Sequence, residues 1–199
     1  AHQTQIPNME NKMNKTLIIA AHPHIAQSVV NKCWLDELAK HPDRFTVHRL
    51  YTAYPDGKIN VAAEQALIEA HGSVILQFPV YWFSCPPLLK QWFDSVFTHG
   101  WAFGSSATAF KGRKLGLAVS HGTPPQDYSH TGKIRHTLAE TLIPFEIIAN
   151  YIGAEYLPPF TFHALEFFTE EEIRANHDKM VAHAEQAAKD LLAHLAQYA

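Results

Sequence analysis

Short apolar runs alternate with amphipathic stretches along this chain. Thr16-Leu17-Ile18-Ile19-Ala20-Ala21 is too short for a helix and reads as a strand buried on both faces. From Ser28 to Leu38, Val29, Val30, Cys33, Trp34 and Leu38 fall at helical spacing, and His41-Pro42 stops the helix. Phe45–Tyr51 alternates and predicts a second strand. Tyr54-Pro55-Asp56-Gly57 is turn chemistry, and Asn60 caps a helix running through Glu69. Ser73–Phe78 is a third buried strand, ended by Pro79. Pro86-Pro87 opens a helix whose wide apolar face carries Leu88, Leu89, Trp92, Phe93, Val96 and Phe97. Lys114–Ser120 is a fourth strand. Gly132–Asn150 reads as mostly helix, closed by Gly153. Ala154–Phe162 supplies a fifth strand, broken at Pro158-Pro159. Thr169 caps a long C-terminal helix, with Glu170-Glu171-Glu172 at its positive end.

Five alternations of strand and helix predict one α/β domain over residues 15–199: a parallel five-stranded sheet, order 2-1-3-4-5, with helices on both faces. The polar residues 1–14, with Met9 and Met13 as candidate starts, read as a disordered or expression-derived segment outside it. At 199 residues, 47% apolar and 18% charged, the chain can bury a sizeable core, which excludes a largely disordered protein. A net charge of −3 carries no basic excess to attract nucleic acid or an anionic membrane. Cys33 and Cys85 read as reduced core thiols, in keeping with a cytoplasmic protein, and no metal set is completed.

In such a sheet, ligands bind beyond the carboxyl ends of the strands, so three loops become the candidates. The first, His22-Pro23-His24 through Asn31, leads into a helix start whose N–H groups suit a phosphate; Ser28 is equally an ordinary N-cap. It lacks both the dinucleotide fingerprint G-x-G-x-x-G and the P-loop pattern. The second, Pro79-Val80-Tyr81-Trp82-Phe83-Ser84-Cys85, places three consecutive aromatics where they can line a flat slot or form a hydrophobic lid. The third, Ser120-His121-Gly122-Thr123, combines small and hydroxyl residues that let a ligand approach the backbone, with Tyr128 and His130 following. Lys111, Arg113 and Lys114 form a basic cluster that reads as a solvated turn ahead of a 2′-phosphate contact.

Four stretches carry a family resemblance: Ala21-His22-Pro23 with Ser28 and Asn31-Lys32; Leu50-Tyr51 and Tyr54-Pro55-Asp56 followed by Ala62-Ala63-Glu64-Gln65; Phe78-Pro79 with Trp82-Phe83 and Pro86-Pro87-Leu88-Leu89-Lys90-Gln91-Trp92-Phe93-Asp94; and His99-Gly100-Trp101-Ala102-Phe103-Gly104. They resemble the flavodoxin-like NAD(P)H:quinone reductases, closest to the short bacterial branch with the potassium-efflux ancillary oxidoreductases and general stress NAD(P)H oxidoreductases. The resemblance implies FMN, with FAD the lesser alternative, and NAD(P)H as co-substrate. His22, Ser28, Val29, Val30 and Asn31 are then expected at the phosphate and ribityl end. Pro79, Val80, Tyr81, Trp82 and Phe83 are expected beside the flavin ring, and Ser120, His121, Gly122 and Thr123 at its polar edge. No residue is assigned as catalytic. Ser-His-Gly-Thr stands where the family often has Thr-Thr-Gly-Gly, and Tyr81 where it often has Gln; these departures bear on flavin potential and slot width.

The same resemblance implies two-electron hydride transfer from NAD(P)H through FMN to a quinone or similar acceptor, by a ping-pong mechanism in one shared slot. It also implies a homodimer, with the helix Pro86–Phe97 offering apolar area and Trp101 and Phe103 walling the pocket of a partner subunit. A flavin-binding regulatory subunit docked on a membrane antiporter at the inner membrane is a competing reading. An azo- or nitro-reductase is another, and an electron-transfer flavodoxin fits least, being usually strongly acidic.

Overall fold

A computed structural model describes residues 15–167 and 169–198, so the reading of residues 1–14 lies outside the described residues. The elements are β1 (Thr16–Ala20), α1 (Val29–Leu38), β2 (Phe45–Arg49), α2 (Leu50–Ala53), α3 (Val61–Glu69), β3 (Ser73–Pro79), α4 (Pro87–Val96), β4 (Lys114–His121), α5 (Leu138–Thr141), α6 (Ile143–Ile152), β5 (Glu155–Tyr156), β6 (Phe160–His163) and α7 (Glu170–Ala196). The sheet runs β2-β1-β3-β4-β5, all parallel, and β6 pairs with β4 beyond β5. Lys114 faces Glu155 and Ala118 faces Phe160, so four steps along β4 answer five on its neighbour. The extra residue is absorbed at Leu157-Pro158-Pro159, where proline cannot supply ladder donors. The expected fifth strand is thus one edge position in two pieces.

Apolar residues fill both faces of this sheet. On one face Leu17, Ile19, Leu76 and Phe78 pack with Leu89, Trp92 and Phe93 of α4 and Phe145 of α6. On the other, Ile18, Ala20, Ile75 and Ala118 pack with Trp34 and Leu35 of α1 and Ala188 and Leu191 of α7. The caps follow the sequence: Ser28, Asn60 and Thr169 each accept a first-turn N–H, and Gly153 ends α6 at φ +75°.

Four expectations are corrected. The second strand stops at Arg49, because Leu50 turns into the core as the start of α2. Residues 132–136 are not helical; the helix begins only where Thr137 and Glu140 form a capping box. The apolar face of α4 is buried in its own domain, leaving Ile143, Ile147 and Tyr151 of α6 as the exposed apolar stripe. Cys33 and Cys85 are free but half-buried rather than core residues.

Candidate functional site at the carboxyl edge of the sheet

All three candidate loops follow the carboxyl ends of β1, β3 and β4, and a buried polar knot ties them together beneath the surface. Asn31, 3% exposed, donates from Nδ2 to Ser120 Oγ at 3.0 Å, and its backbone carbonyl accepts Gln77 Nε2 at 3.1 Å. Ala21 N donates to Gln77 O, and Val80 N to Ser120 O, both at 2.8 Å. Asn31 and Ser120, both expected at a ligand, bond to each other through their side chains and so hold the loops in register. Gln77, whose Oε1 is buried without a protein partner, was missed, although it is the lone polar residue in the run Val74–Phe78.

At the first loop Ser28 Oγ accepts Asn31 N at 3.1 Å, the ordinary N-cap bond. The N–H groups of Val29 and Val30 are the first two of α1 and have no intrahelical acceptor by position, so they and the helix dipole suit an anion. His24 N donates to His22 Nδ1 at 3.0 Å. Neutral His22 therefore carries its proton on Nε2, a further donor. Burial, with repulsion from His24, lowers the His22 pKa and favours that neutral form.

At the second loop, Tyr81 and Ser84 exchange backbone bonds of 3.2 and 3.0 Å across a two-residue tip. Trp82 and Phe83 occupy the tip at φ +48° and +61°. Such a pair of left-handed residues is normally Asn-Gly, so bulky aromatics there hold stored backbone strain. Trp82 is 94% exposed, presenting a flat apolar surface beside Tyr81 and Phe83. Pro79 is buried at the end of β3, and Val80 is half-buried under the turn. A cleft of about 540 Å³ lies between Phe83 and the segment carrying Lys133, Ile134, His136, Glu140 and Thr141. Sequence reasoning missed that wall because residues 132–136 read as helix.

At the third loop, His121 is 6% exposed. Its ring stacks on His163 at 5.5 Å and meets the edge of Tyr128 at 5.3 Å. Burial lowers the His121 pKa, with the charge of His163 acting in the same direction. Tyr128 is 7% exposed, and burial raises its pKa, so it keeps its proton. His130 and Asp127 lie farther along the loop, with His130 exposed. Gly122 and Thr123 are half-buried at the lip.

The basic cluster and the Trp101 loop lie elsewhere. Both belong to the segment between the end of α4 and the start of β4, at the opposite edge of the sheet. Arg113 spends its guanidinium on the carbonyls of His71, Ala109 and Glu69, and Lys114 Nζ reaches Tyr198 O at 2.7 Å. Trp101 Nε1 donates to Glu69. In one chain, Trp101 and Phe103 therefore cannot reach these loops.

The carboxyl edge thus offers an anion site at one end, an aromatic shelf in the middle and a backbone-rich lip at the other. The family described as having a flavodoxin-like fold matches residues 14–188. The chain belongs to this family. It is 45% identical over 172 residues to general stress protein 14 of Bacillus subtilis, covering 86% of this chain and 98% of the relative. It is 43% identical to the NAD(P)H oxidoreductase YrkL of the same organism, covering 84% and 95%. It is 39% identical to the glutathione-regulated potassium-efflux ancillary protein KefF of Enterobacter sp., covering 80% and 89%. Among solved structures, general stress protein 14 of Treponema denticola, in complex with FMN, superposes with a TM-score of 0.80 at 54% identity, covering 90% and 96%. An NADPH-quinone reductase from P. pentosaceus superposes with a TM-score of 0.70 at 33% identity, covering 87% and 97%.

Proposed function

We propose that this chain is an FMN-dependent NAD(P)H oxidoreductase that passes two electrons to a quinone or a similar acceptor. The observation that carries the reading is the run of anion site, aromatic shelf and backbone lip along one sheet edge, in a family that includes an FMN complex at 54% identity. FMN, when bound, supplies the two-electron chemistry. The first-turn N–H groups of Val29 and Val30, with His22 Nε2, hold its phosphate. Trp82 and Phe83 border its ring, and Gly122 and Thr123 receive the polar edge. Asn31, Ser120 and Gln77 hold these parts in place from below.

The cleft beside Phe83 provides one opening onto that shelf. Nicotinamide and acceptor use it in turn, which makes the kinetics ping-pong. Tyr128, kept protonated by burial and in edge contact with His121 and Phe83, is placed to donate a hydrogen bond to the acceptor. No helix among the described residues is long and apolar enough to cross a membrane. A homodimer would cover Ile143, Ile147 and Tyr151; Phe103 lies 5.7 Å from Tyr151, so the same contact would carry the Trp101 loop toward the partner's site.

The test is stopped-flow absorbance near 450 nm on FMN-loaded protein mixed first with NAD(P)H and then with a quinone. Bleaching by the nicotinamide and full recovery with the quinone is the expected result. Tight FMN binding without bleaching would sink the enzyme reading. Such a result would favour the second reading, a regulatory subunit of a potassium-efflux antiporter, for which the 39% identity to KefF speaks.

A further inference from the structure

We infer that His163 and His121 are positioning residues for the cofactor's polar edge, their imidazoles turning the amides of Gly122 and Thr123 into the slot. The inference deepens the flavin reading and rests on it.

Three consecutive carbonyls of the third loop are each drawn to a donor. Ala164 N donates to His121 O at 2.9 Å. His163 Nε2 lies 3.2 Å from Gly122 O, and His121 Nδ1 lies 2.8 Å from Thr123 O. A carbonyl only accepts, so both ring nitrogens carry protons. No peptide here is cis, and across a trans peptide the N–H points opposite to the preceding C=O. Ala164 and His163 both sit on the β6 side. The Gly122 N–H therefore points away from β6, on the side of β3 and the second loop, and the Thr123 N–H points away from the His163 ring. Neither amide has a protein acceptor among the described hydrogen bonds. The next residue is Pro124, which has no N–H, so the lip ends with this pair of donors.

The two imidazoles are braced for the task. His121 and His163 are register partners across β4 and β6, so their rings stack, and Tyr128 closes the other side of His121. His121 thereby holds the loop where the family resemblance leads one to expect threonine. Glu166, an exposed carboxylate lying against Gly122, opposes negative charge at the same place. Fixed N–H donors aimed at a ring edge favour the form that carries more negative charge there. Losing their alignment must weaken binding of reduced FMN more than of oxidised FMN.

The experiment compares wild type, His163→Phe and His163→Gln. Phenylalanine keeps the stack on His121 and deletes the donor, while glutamine retains an N–H near the Nε2 position. Readouts are FMN affinity from quenching of flavin fluorescence, the midpoint potential of bound FMN, and the melting temperature without FMN. In His163→Phe the preference for reduced FMN should fall about tenfold, a drop of about 30 mV for a two-electron couple. His163→Gln should stay within about twofold of wild type. An unmoved potential in His163→Phe, or an equal fall in both variants, overturns the inference while leaving the flavin reading intact. Wild type that binds no FMN overturns both. If His163→Phe does not fold, His121→Val against His121→Asn repeats the comparison at Thr123 O, with the same expectations.

Discussion

Glu64 offers the sharpest test of how this domain is held together. Its carboxylate is 2% exposed and accepts three hydrogen bonds: His48 Nε2 at 2.8 Å, Tyr54 OH at 2.6 Å and Trp92 Nε1 at 2.8 Å. Trp92 is fully buried in α4, the helix that follows the aromatic turn. Leu88 N donates to Tyr51 OH and Gln91 Nε2 to Gly57 O, so residues 50–64 clamp the first turns of that helix. Glu64→Ala leaves the Trp92 N–H unpaired and removes two bonds to a charged acceptor. Deleting one side of such a buried network costs about 3–5 kcal/mol. At about 2–4 °C per kcal/mol for a domain of this size, the melting temperature should fall by about 6–20 °C. Burial alone would raise the Glu64 pKa, but the bonds from His48, Tyr54 and Trp92 outweigh it and hold it below the ordinary value. A carboxylate depressed on folding stabilises above its unfolded pKa, and that contribution is lost as pH falls through the folded one. The assay is guanidinium unfolding of wild type and Glu64→Ala between pH 7 and pH 3. The gap should be full at pH 7 and narrow progressively below about pH 4.5. A gap under about 1 kcal/mol at pH 7, or one that does not narrow between pH 4.5 and pH 3, would refute the reasoning.

Three further outcomes are expected. Replacing Trp82-Phe83 by Asn-Gly should relieve left-handed strain of about 1–2 kcal/mol per residue, raising the stability of the cofactor-free protein while weakening FMN binding; unfolding curves and flavin fluorescence check the two halves. Asn31→Ala should cost about 1–3 kcal/mol by leaving the buried Ser120 hydroxyl without its partner, and should raise the FMN dissociation constant, read from the same two measurements. His22, His71 and His121 all have pKa values lowered chiefly by burial, so their contribution is present above about pH 6.5 and is lost on acidification. Thermal melts should show the midpoint falling from pH 7 to pH 5, and less so in His71→Phe; an unchanged slope in that variant would refute its share.

What could be read from the residues was what is local or periodic. The caps at Ser28, Asn60 and Thr169 and the split fifth strand follow from spacing and turn chemistry within a short window, and the strand order from matching five strand–helix alternations to a known doubly wound order. Where reading failed, the deciding contact was distant in sequence. Nothing around Leu50 shows that it turns into the core while Tyr51 OH reaches Leu88 N. The helical appearance of Gly132–His136 gave way to a turn because Gly132 packs against the backbone of Gln126 and Asp127, where a Cβ would lie 2.5 Å from a carbonyl oxygen. The same limit applies at the site. His22, Val29, Val30, Trp82, Phe83, Gly122 and Thr123 lie where the loops after β1, β3 and β4 put them. The bond between Asn31 and Ser120, 89 residues apart, was not legible, because it appears only when α1 is laid against β4. His121 was read as a departure bearing on flavin potential and slot width, and its register partner, His163 on β6, comes into view only in the folded sheet. On that pairing rests the proposal that this departure from the family pattern aims the backbone.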